Sequence, residues 1–374
     1  MASLSENIHK NVRSSSAPND GLTLPQKIGK LTAQQWGKGI AFIGNHSKFL
    51  EALQKLEQFA QSDEPVLITG ESGVGKELFA RSLFVLSRRK DAPFVSINCG
   101  QFSDEHLMVS ELFGHAKGSF TGALTEHLGV FATANSGTIL MDEVGELSLA
   151  AQKMLLRVID QKEIKPLGAT EIKLVDIRIV SATHRNLQSL VDSGVFREDL
   201  FYRLNCLPLH VPALRERGED CVLLLEYFLA KLNENQGVEK RFSNETIGFL
   251  KQYSFPGNIR ELRSIVETGF RMSHEDVIQL EDVTTNLQNR RKSDGVLIDI
   301  SDYYLRMKDK RESFWEVVRK PFLRRDLNRV QVKAIIQRGL EEAGSYKEVM
   351  KVFNVPPQDH KTFLNFLQTH GLRP

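Results

Sequence analysis

Two short strings in the chain combine residue types and spacing suited to phosphate chemistry. The first is Gly70-Glu71-Ser72-Gly73-Val74-Gly75-Lys76-Glu77, which follows the apolar run Val66-Leu67-Ile68-Thr69 and leads into Leu78, Phe79, Ser82, Leu83 and Leu86 at helical spacing. Glycines there let backbone N–H groups curl round an anion, the start of the following helix favours negative charge, and Lys76 reaches the terminal phosphates of a nucleotide. The Ser or Thr that commonly follows such a lysine is absent, and Glu77 stands in its place. The second string is Asp142-Glu143, at the carboxyl end of the apolar run Thr138-Ile139-Leu140-Met141. An acidic pair so placed suits Mg²⁺ binding by Asp142 and polarisation of an attacking water by Glu143. Taken alone, the pair reads as two solvated charges at a strand end. That reading loses weight because the glycine-rich loop ends another strand of the same expected sheet, where open α/β folds hold ligands. ATP hydrolysis is the reaction both strings serve.

Holding these groups together requires a sheet. Apolar runs at 66–69, 94–97, 138–141 and 177–180 alternate with helical patterns, which predicts an α/β fold with a parallel sheet and crossover helices. After about Arg217 the strand signal stops, and residues 220–232, 243–253 (Ser243 as N-cap) and 258–272 read as helices. The predicted domains are a flexible leader over 1–39, the α/β domain over 40–217 and a helical lid over 218–287. A basic, polar linker follows over 288–301, and a small all-α domain over 302–374.

Composition bounds the rest. The 374 residues are 41% hydrophobic and 26% charged with a net charge of +2, ordinary for a folded soluble protein of two or three domains. So small a net charge confines any nucleic-acid contact to a local patch. Cys99, Cys206 and Cys221 form no CxxC pair and have no histidine cluster beside them, which argues against disulfides or zinc and for a reducing compartment. The first twenty residues lack an apolar signal core, and the longest apolar stretch, 222–230, contains Glu226 and is too short for a bilayer. The expectation is a cytoplasmic protein with no membrane partner.

Six strings in order, GESGVGKE, SELFGHAKGSFTGA, GTILMDEVGEL, SATHRNL, FREDLFYRLN and FPGNIRELR, resemble the central AAA+ domain of sigma-54-dependent transcriptional activators over roughly residues 42–280. The most specific is Gly118-Ser119-Phe120-Thr121-Gly122-Ala123, similar to that family's GAFTGA loop. The resemblance implies an ATPase that uses ATP and Mg²⁺, with residues 70–77 cradling the nucleotide, Asp142 on the metal and Glu143 as the catalytic carboxylate. It implies that Asn98 restrains Glu143 until the γ-phosphate is sensed, that Thr183 is the first sensor, and that Arg260 on the lid is the second. Arg197 and Arg203 would be offered to a neighbouring subunit's ATP, which makes a ring, a hexamer, obligatory for activity. Trans arginines of this kind raise rates by roughly 10³ to 10⁵. Without the resemblance, the two arginines read as surface ion-pair partners of Glu198 and Asp199. Phe120 and Thr121 sit in a Gly-Ser-Phe-Thr-Gly string that makes a poor strand or helix and a good exposed loop. The resemblance names its partner as the sigma-54 subunit of RNA polymerase, and its work as the opening of promoter DNA.

The chain departs from the family pattern at Ser119 for a loop alanine, at His184 for the asparagine beside the sensor threonine, and at Ala116 and Ala132, where glutamates are frequent. His184 reads as a hydrogen-bonding substitute. At the C-terminus, residues 330–343, 346–353 and 357–369 have the lengths and spacing of the Fis-like helix-turn-helix with which such activators often bind enhancer DNA. Gln358, His360, Lys361 and Thr362 are its candidates for base edges and phosphates. A small oligomerisation or partner-docking domain is an equal alternative. About 40 residues ahead of the ATPase region are too few for a sensing domain, so regulation is expected from elsewhere. Two other functions compete: a DNA-binding repressor or scaffold that keeps the fold without the coupling, and an AAA+ remodeller of another client. The intact Lys76, Asp142, Glu143, Arg197 and Arg203 set argues against the first, and the retained Phe120 and Thr121 against the second.

Overall fold

Among the described residues, seven strands fall along the chain up to residue 210: β1 (Val66–Thr69), β2 (Phe94–Asn98), β3 (Thr138–Asp142), β4 (Glu163–Ile164), β5 (Lys173–Leu174), β6 (Arg178–Thr183) and β7 (Leu207–His210). The computed structural model describes residues 22–102, 104–119, 123–284, 300–324, 327 and 329–372. They fall into two units that divide between Ile278 and Gln279. In the first unit β4 and β5 pair as an antiparallel hairpin, and the other five strands form one parallel sheet in the order β2-β3-β6-β1-β7. Side-chain alternation decides the layers. Ile97, Ile139, Met141 and Ile179 pack with Leu112, Phe113, Phe131 and Leu155 in one core. Val66, Ile68, Leu140, Val180, Ala182 and Leu209 pack with Leu53, Leu56, Phe79 and Leu83 in the other. A sheet buried on both faces is what unbroken apolar runs signal.

The register aligns the strand ends. Thr69 of β1 stands beside Thr183 of β6, Ala182 beside Asp142 of β3, and Asp142 beside Asn98 of β2. The glycine-rich loop, Thr183, the acidic pair and Asn98 therefore emerge from one edge of the sheet. Around it lie α1 (Leu24–Trp36), α2 (Ser47–Ala60), α3 (Lys76–Val85), α4 (Glu105–Phe113), α5 (Val130–Thr133), α6 (Leu149–Gln161), α7 (Leu187–Asp192) and α8 (Glu198–Leu204).

Helix α1 corrects the leader expected over 1–39. Leu24, Ile28 and Thr32 are buried one turn apart. Gln26 Oε1 accepts the Thr23 N–H at 2.9 Å, Pro25 sits in the first turn, and Gly37 closes the helix in the left-handed conformation (φ 70°). Residues 1–21 lie outside the described residues. A polar exposed face hid a helix whose start and stop signals were both present.

The lid consists of α9 (Asp220–Gln236), α10 (Asn244–Gln252) and α11 (Asn258–Met272). Ser243 caps α10 by accepting the Thr246 N–H, as its sequence position predicts. A two-residue parallel pair, β8 (Arg241–Phe242) with β9 (Val277–Ile278), ties the connection between α9 and α10 to the segment after α11 and is too short to show as a periodic signal. The second unit holds α12 (Ile300–Lys308), a π-helical turn at Trp315–Arg319, α13 (Lys320–Leu323), α14 (Arg329–Ala343), α15 (Tyr346–Val352) and α16 (His360–Thr369). They close on an aromatic core in which the Phe314 and Phe353 rings stack at 5.8 Å and the Phe363 ring meets Phe314 edge-on at 5.0 Å. The division at 278/279 falls ahead of the expected lid boundary at 287, and of the linker expected over 288–301 only residues 300 and 301 are among those described.

Candidate functional site

The loop between β1 and α3 is shaped by its glycines and by the lid. Gly70 and Gly73 have φ of 151° and 79°, and a Cβ on Gly73 would meet the Gly257 carbonyl oxygen at 2.3 Å. Only glycine lets the lid come that close. Three consecutive lid residues grip the loop. The Asn258 amide donates to Glu71 Oε2 and to the Ser72 carbonyl, both at 3.0 Å, while its own oxygen accepts the Leu214 N–H. The Ile259 N–H donates to the Gly73 carbonyl at 3.1 Å, and Arg260 donates to Ser72 Oγ at 3.2 Å. Asn258 is fully buried and holds φ at 51°, a conformation asparagine tolerates better than most. Glu71 also accepts from the Arg215 guanidinium at 2.7 Å, and these partners, Arg215 foremost and then Asn258, lower its carboxyl to about 2. Sequence reading placed Glu71 in a phosphate cradle; the structure gives it the task of fastening the cradle to the lid.

Lys76 opens α3 and is buried, with Nζ donating to the Gly70 and Glu71 carbonyls at 2.9 and 3.2 Å. Burial lowers its pKa, against the opposing pull of Glu143 and Asp142. Asp142, half-buried at the end of β3, has its pKa raised by burial first and by the Glu143 charge next. A carboxylate whose charge is penalised in this way is relieved by a divalent cation, so Asp142 fits Mg²⁺. Glu77, at the usual hydroxyl position, is paired with Arg81 at 2.8 Å.

Glu143 follows Asp142 in a left-handed conformation (φ 54°, ψ 47°), its N–H donating to Asp142 Oδ1 at 3.0 Å. Its Oε2 lies 2.6 Å from Nδ1 of His184. The Asn98 side-chain oxygen accepts the Gly100 N–H at 2.8 Å, and the side-chain contact of the Glu143 carboxylate in this structure is with His184. Thr183 is buried at the end of β6, where its Oγ1 accepts the Arg185 N–H at 3.0 Å. Arg197 and Arg203 flank α8 and pair with carboxylates of their own chain: Arg197 with Asp199 at 2.7 Å, and Arg203 with Asp160 of α6 at 2.9 Å. The ion-pair reading of these arginines is realised for Asp199, while Glu198 is replaced by Asp160.

An apolar cavity of 450 Å³ adjoins the loop at Val74 and Gly75, lined among others by Ile40, Phe42, Leu78, Tyr227 and Ile259. Sequence reading missed it. Its walls come from stretches far apart in the chain, at 36–49, 74–81, 217–231 and Ile259, and the one local signal was the apolar run at 40–43. The run is held in place by a buried pair at the start of the lid. Arg217 donates to Asp220 at 3.0 Å and to the Ile43 carbonyl at 2.5 Å, and lies 3.8 Å over the Phe49 ring. Asp220 in turn accepts the Asn45 N–H at 2.7 Å.

The Gly118–Ala123 loop is closed at its base, where the Gly118 N–H donates to the Ala123 carbonyl at 2.8 Å. His115 and His127 exchange backbone bonds beneath it, the Ala116 N–H donates to the Leu167 carbonyl at 2.9 Å, and Ser119 rests against Gly168. Phe120, Thr121 and Gly122 lie outside the described residues. Ala132 is packed at the edge of the first core.

A family model described as the sigma-54 interaction domain matches residues 42–210, and one described as the AAA+ ATPase lid domain matches residues 215–297. The chain is 44% identical over 252 residues to the nitrogen fixation protein AnfA of Azotobacter vinelandii, a match covering 67% of this chain and 47% of that protein. It is 43% identical over 258 residues to the regulatory protein AtoC of Escherichia coli, covering 69% and 55% respectively. The chain thus spans about half the length of the curated relatives it matches. Among solved structures, NtrX from Brucella abortus in complex with ATP aligns over 89% of this chain and 70% of its own, with a TM-score of 0.62 at 24% identity. That is a likeness of fold.

Proposed function

Because the chain belongs to the AAA+ ATPases that carry a sigma-54 interaction domain, we propose that it hydrolyses ATP and uses the cycle to remodel a sigma-54 RNA polymerase closed complex through its Gly118–Ala123 loop. The observation that carries hydrolysis is the level edge of the sheet, where Lys76, Asp142 and Glu143 emerge from β1 and β3 with β6 alone between them. The backbone of residues 70–75 and the Lys76 ammonium hold the β- and γ-phosphates, and the cavity behind Gly75 takes the base. Asp142 would hold Mg²⁺, which supplies neutralisation of charge on the phosphate oxygens. Glu143 accepts a proton from the attacking water as the new bond to the γ-phosphorus forms and the bridging oxygen leaves with ADP. Arg260 touches the loop from the lid, so lid position and phosphate binding are mechanically joined.

Arg197 and Arg203 serve a neighbouring subunit, in a ring. Their present partners are exposed carboxylates, and such pairs are worth only about 0–1 kcal/mol, so exchange for a neighbour's phosphate costs little. In the second unit, α15 and α16 read as a helix-turn-helix for enhancer DNA. Gln358, Lys361, Thr362, Asn365, Gln368 and Thr369 are all exposed and recur at helical spacing, a stripe of amides, hydroxyls and one lysine suited to base edges.

The test is capture of sigma-54 by the purified chain with ADP and a metal-fluoride mimic of the transferring phosphate. Capture with the mimic alone, lost in Thr121→Ala, supports the loop as the coupling element. ATP turnover at the wild-type rate in Glu143→Ala rules out the hydrolytic assignment, and mimic-dependent capture by Thr121→Ala rules out the loop.

A further inference from the structure

The structure brings together Glu143 and His184, two residues that sequence reading placed in different strings, and it leaves Asn98 out of their contact. We propose that His184 is the positioning residue for Glu143, holding its carboxylate on the nucleotide side of β3. The proposal rests on the reading of Glu143 as the catalytic carboxylate. Its geometric basis is the 2.6 Å contact between His184 Nδ1 and Glu143 Oε2. An ionised carboxylate only accepts, so the imidazole hydrogen in this contact sits on Nδ1. The Glu143 side chain is 21% exposed and that of His184 45%, so the bond is partly shielded at the carboxylate end.

Strand order supplies the direction. β6, which ends at Thr183 and delivers His184, lies between β3 and β1, the strand that carries the phosphate loop. β2, which ends at Asn98, lies on the other side of β3. A bond to His184 therefore draws the carboxylate toward the phosphates, whereas a bond to Asn98 would draw it away. The Asn98 side-chain oxygen accepts the Gly100 N–H at 2.8 Å. Glu143 has a left-handed backbone, and its other bonds, the N–H to Asp142 and the carbonyl that accepts the Glu146 N–H, hold the main chain and not the carboxylate. A hydrogen bond to one oxygen fixes the rotamer and leaves the second oxygen to accept a proton from water. His184 does not itself touch the reacting atoms.

The experiment compares wild type, His184→Ala, His184→Gln and Glu143→Ala in ATP turnover, with melting temperature as a check on folding. His184→Ala is expected to lower kcat about tenfold with KM for ATP within about twofold, as for an interaction that serves the transition state alone. His184→Gln keeps an N–H donor and is expected to recover kcat to within about threefold of wild type. Independently of turnover, histidine-labelled nucleotide-free protein should show a protected Nδ1–H resonance that is absent in His184→Gln and lost in Glu143→Ala. An unchanged kcat in His184→Ala overturns the proposal, as does a fall that His184→Gln fails to recover, or a missing resonance. If wild type hydrolyses no ATP, or Glu143→Ala turns over normally, the reading of the site itself fails and takes this inference with it.

Discussion

Glu71 sits at the point where the phosphate loop meets the lid, between the Arg215 guanidinium and the Asn258 amide. Its carboxyl is lowered to about 2 by those partners, below the ordinary glutamate value of about 4.3. A depressed carboxyl stabilises the folded state fully above its unfolded pKa and loses that contribution as pH falls through the folded value. We therefore expect Glu71→Gln to melt below wild type near neutral pH, and the gap to narrow as pH is lowered from about 5 toward about 2. A gap independent of pH in calorimetry would show that the charge is not what matters. The exposure of both side chains, 41% for Glu71 and 47% for Arg215, keeps the effect modest in size. The chemistry-bearing residues themselves were legible without coordinates, because glycine, lysine and paired acids are demanded by type and spacing. What one string cannot show is which residue of another string it meets, and so the contact between Glu143 and His184 was not foreseen.

At the scale of elements, α1 shows how much a helix omitted from the sequence reading contributes. Ile28 is fully buried against the core that includes Phe49, Leu53 and Leu83. Thr32 accepts the Ile40 N–H at 2.8 Å, and the Trp36 ring meets Phe94 at 5.7 Å. The helix thus leads directly into the segment that lines the apolar cavity. Ile28→Ala is expected to cost about 2–5 kcal/mol in urea unfolding, as for large-to-small changes in a packed core. Lys30→Ala, on the exposed face of the same helix, should stay within about 0.5 kcal/mol. Equal losses from both would mean that α1 does not pack as described. Elements with strong periodicity or caps were read to within a residue or two, as α11 and the Ser243-capped α10 show. The helix with a mostly polar face and the two-residue strands were not, since their stability comes from distant partners rather than from local pattern.

For the molecule as a whole, the site in one chain has a lysine, an acidic pair and a lid arginine, while Arg197 and Arg203 are engaged with Asp199 and Asp160. If those arginines act across a subunit boundary, two inactive variants with complementary defects should rescue each other. Lys76→Ala and Arg203→Ala are each expected to lose at least about a hundredfold in ATP turnover, while their mixture regains a measurable fraction by pairing an intact loop with an intact arginine. A mixture as inactive as its components would place Arg203 in its own chain's site or outside catalysis. The two units meet opposite demands, an α/β layer with a nucleotide edge and an all-helical module with an aromatic core.

By itself the sequence determined the fold class and the AAA+ resemblance and singled out the candidate phosphate-binding residues, because each rests on local signals: apolar runs of strand length, glycines that free the backbone, charges at strand ends. Tertiary structure alone decided that Glu71 fastens the loop to the lid, that residues 40–43 and the lid wall a single cavity, and that Glu143 is held by His184. These pairings join residues 41 to 187 positions apart. They are set by strand order, with β6 inserted between β3 and β1, and by the lid folding back onto the loop. Neither leaves a trace in the spacing of the residues it brings together.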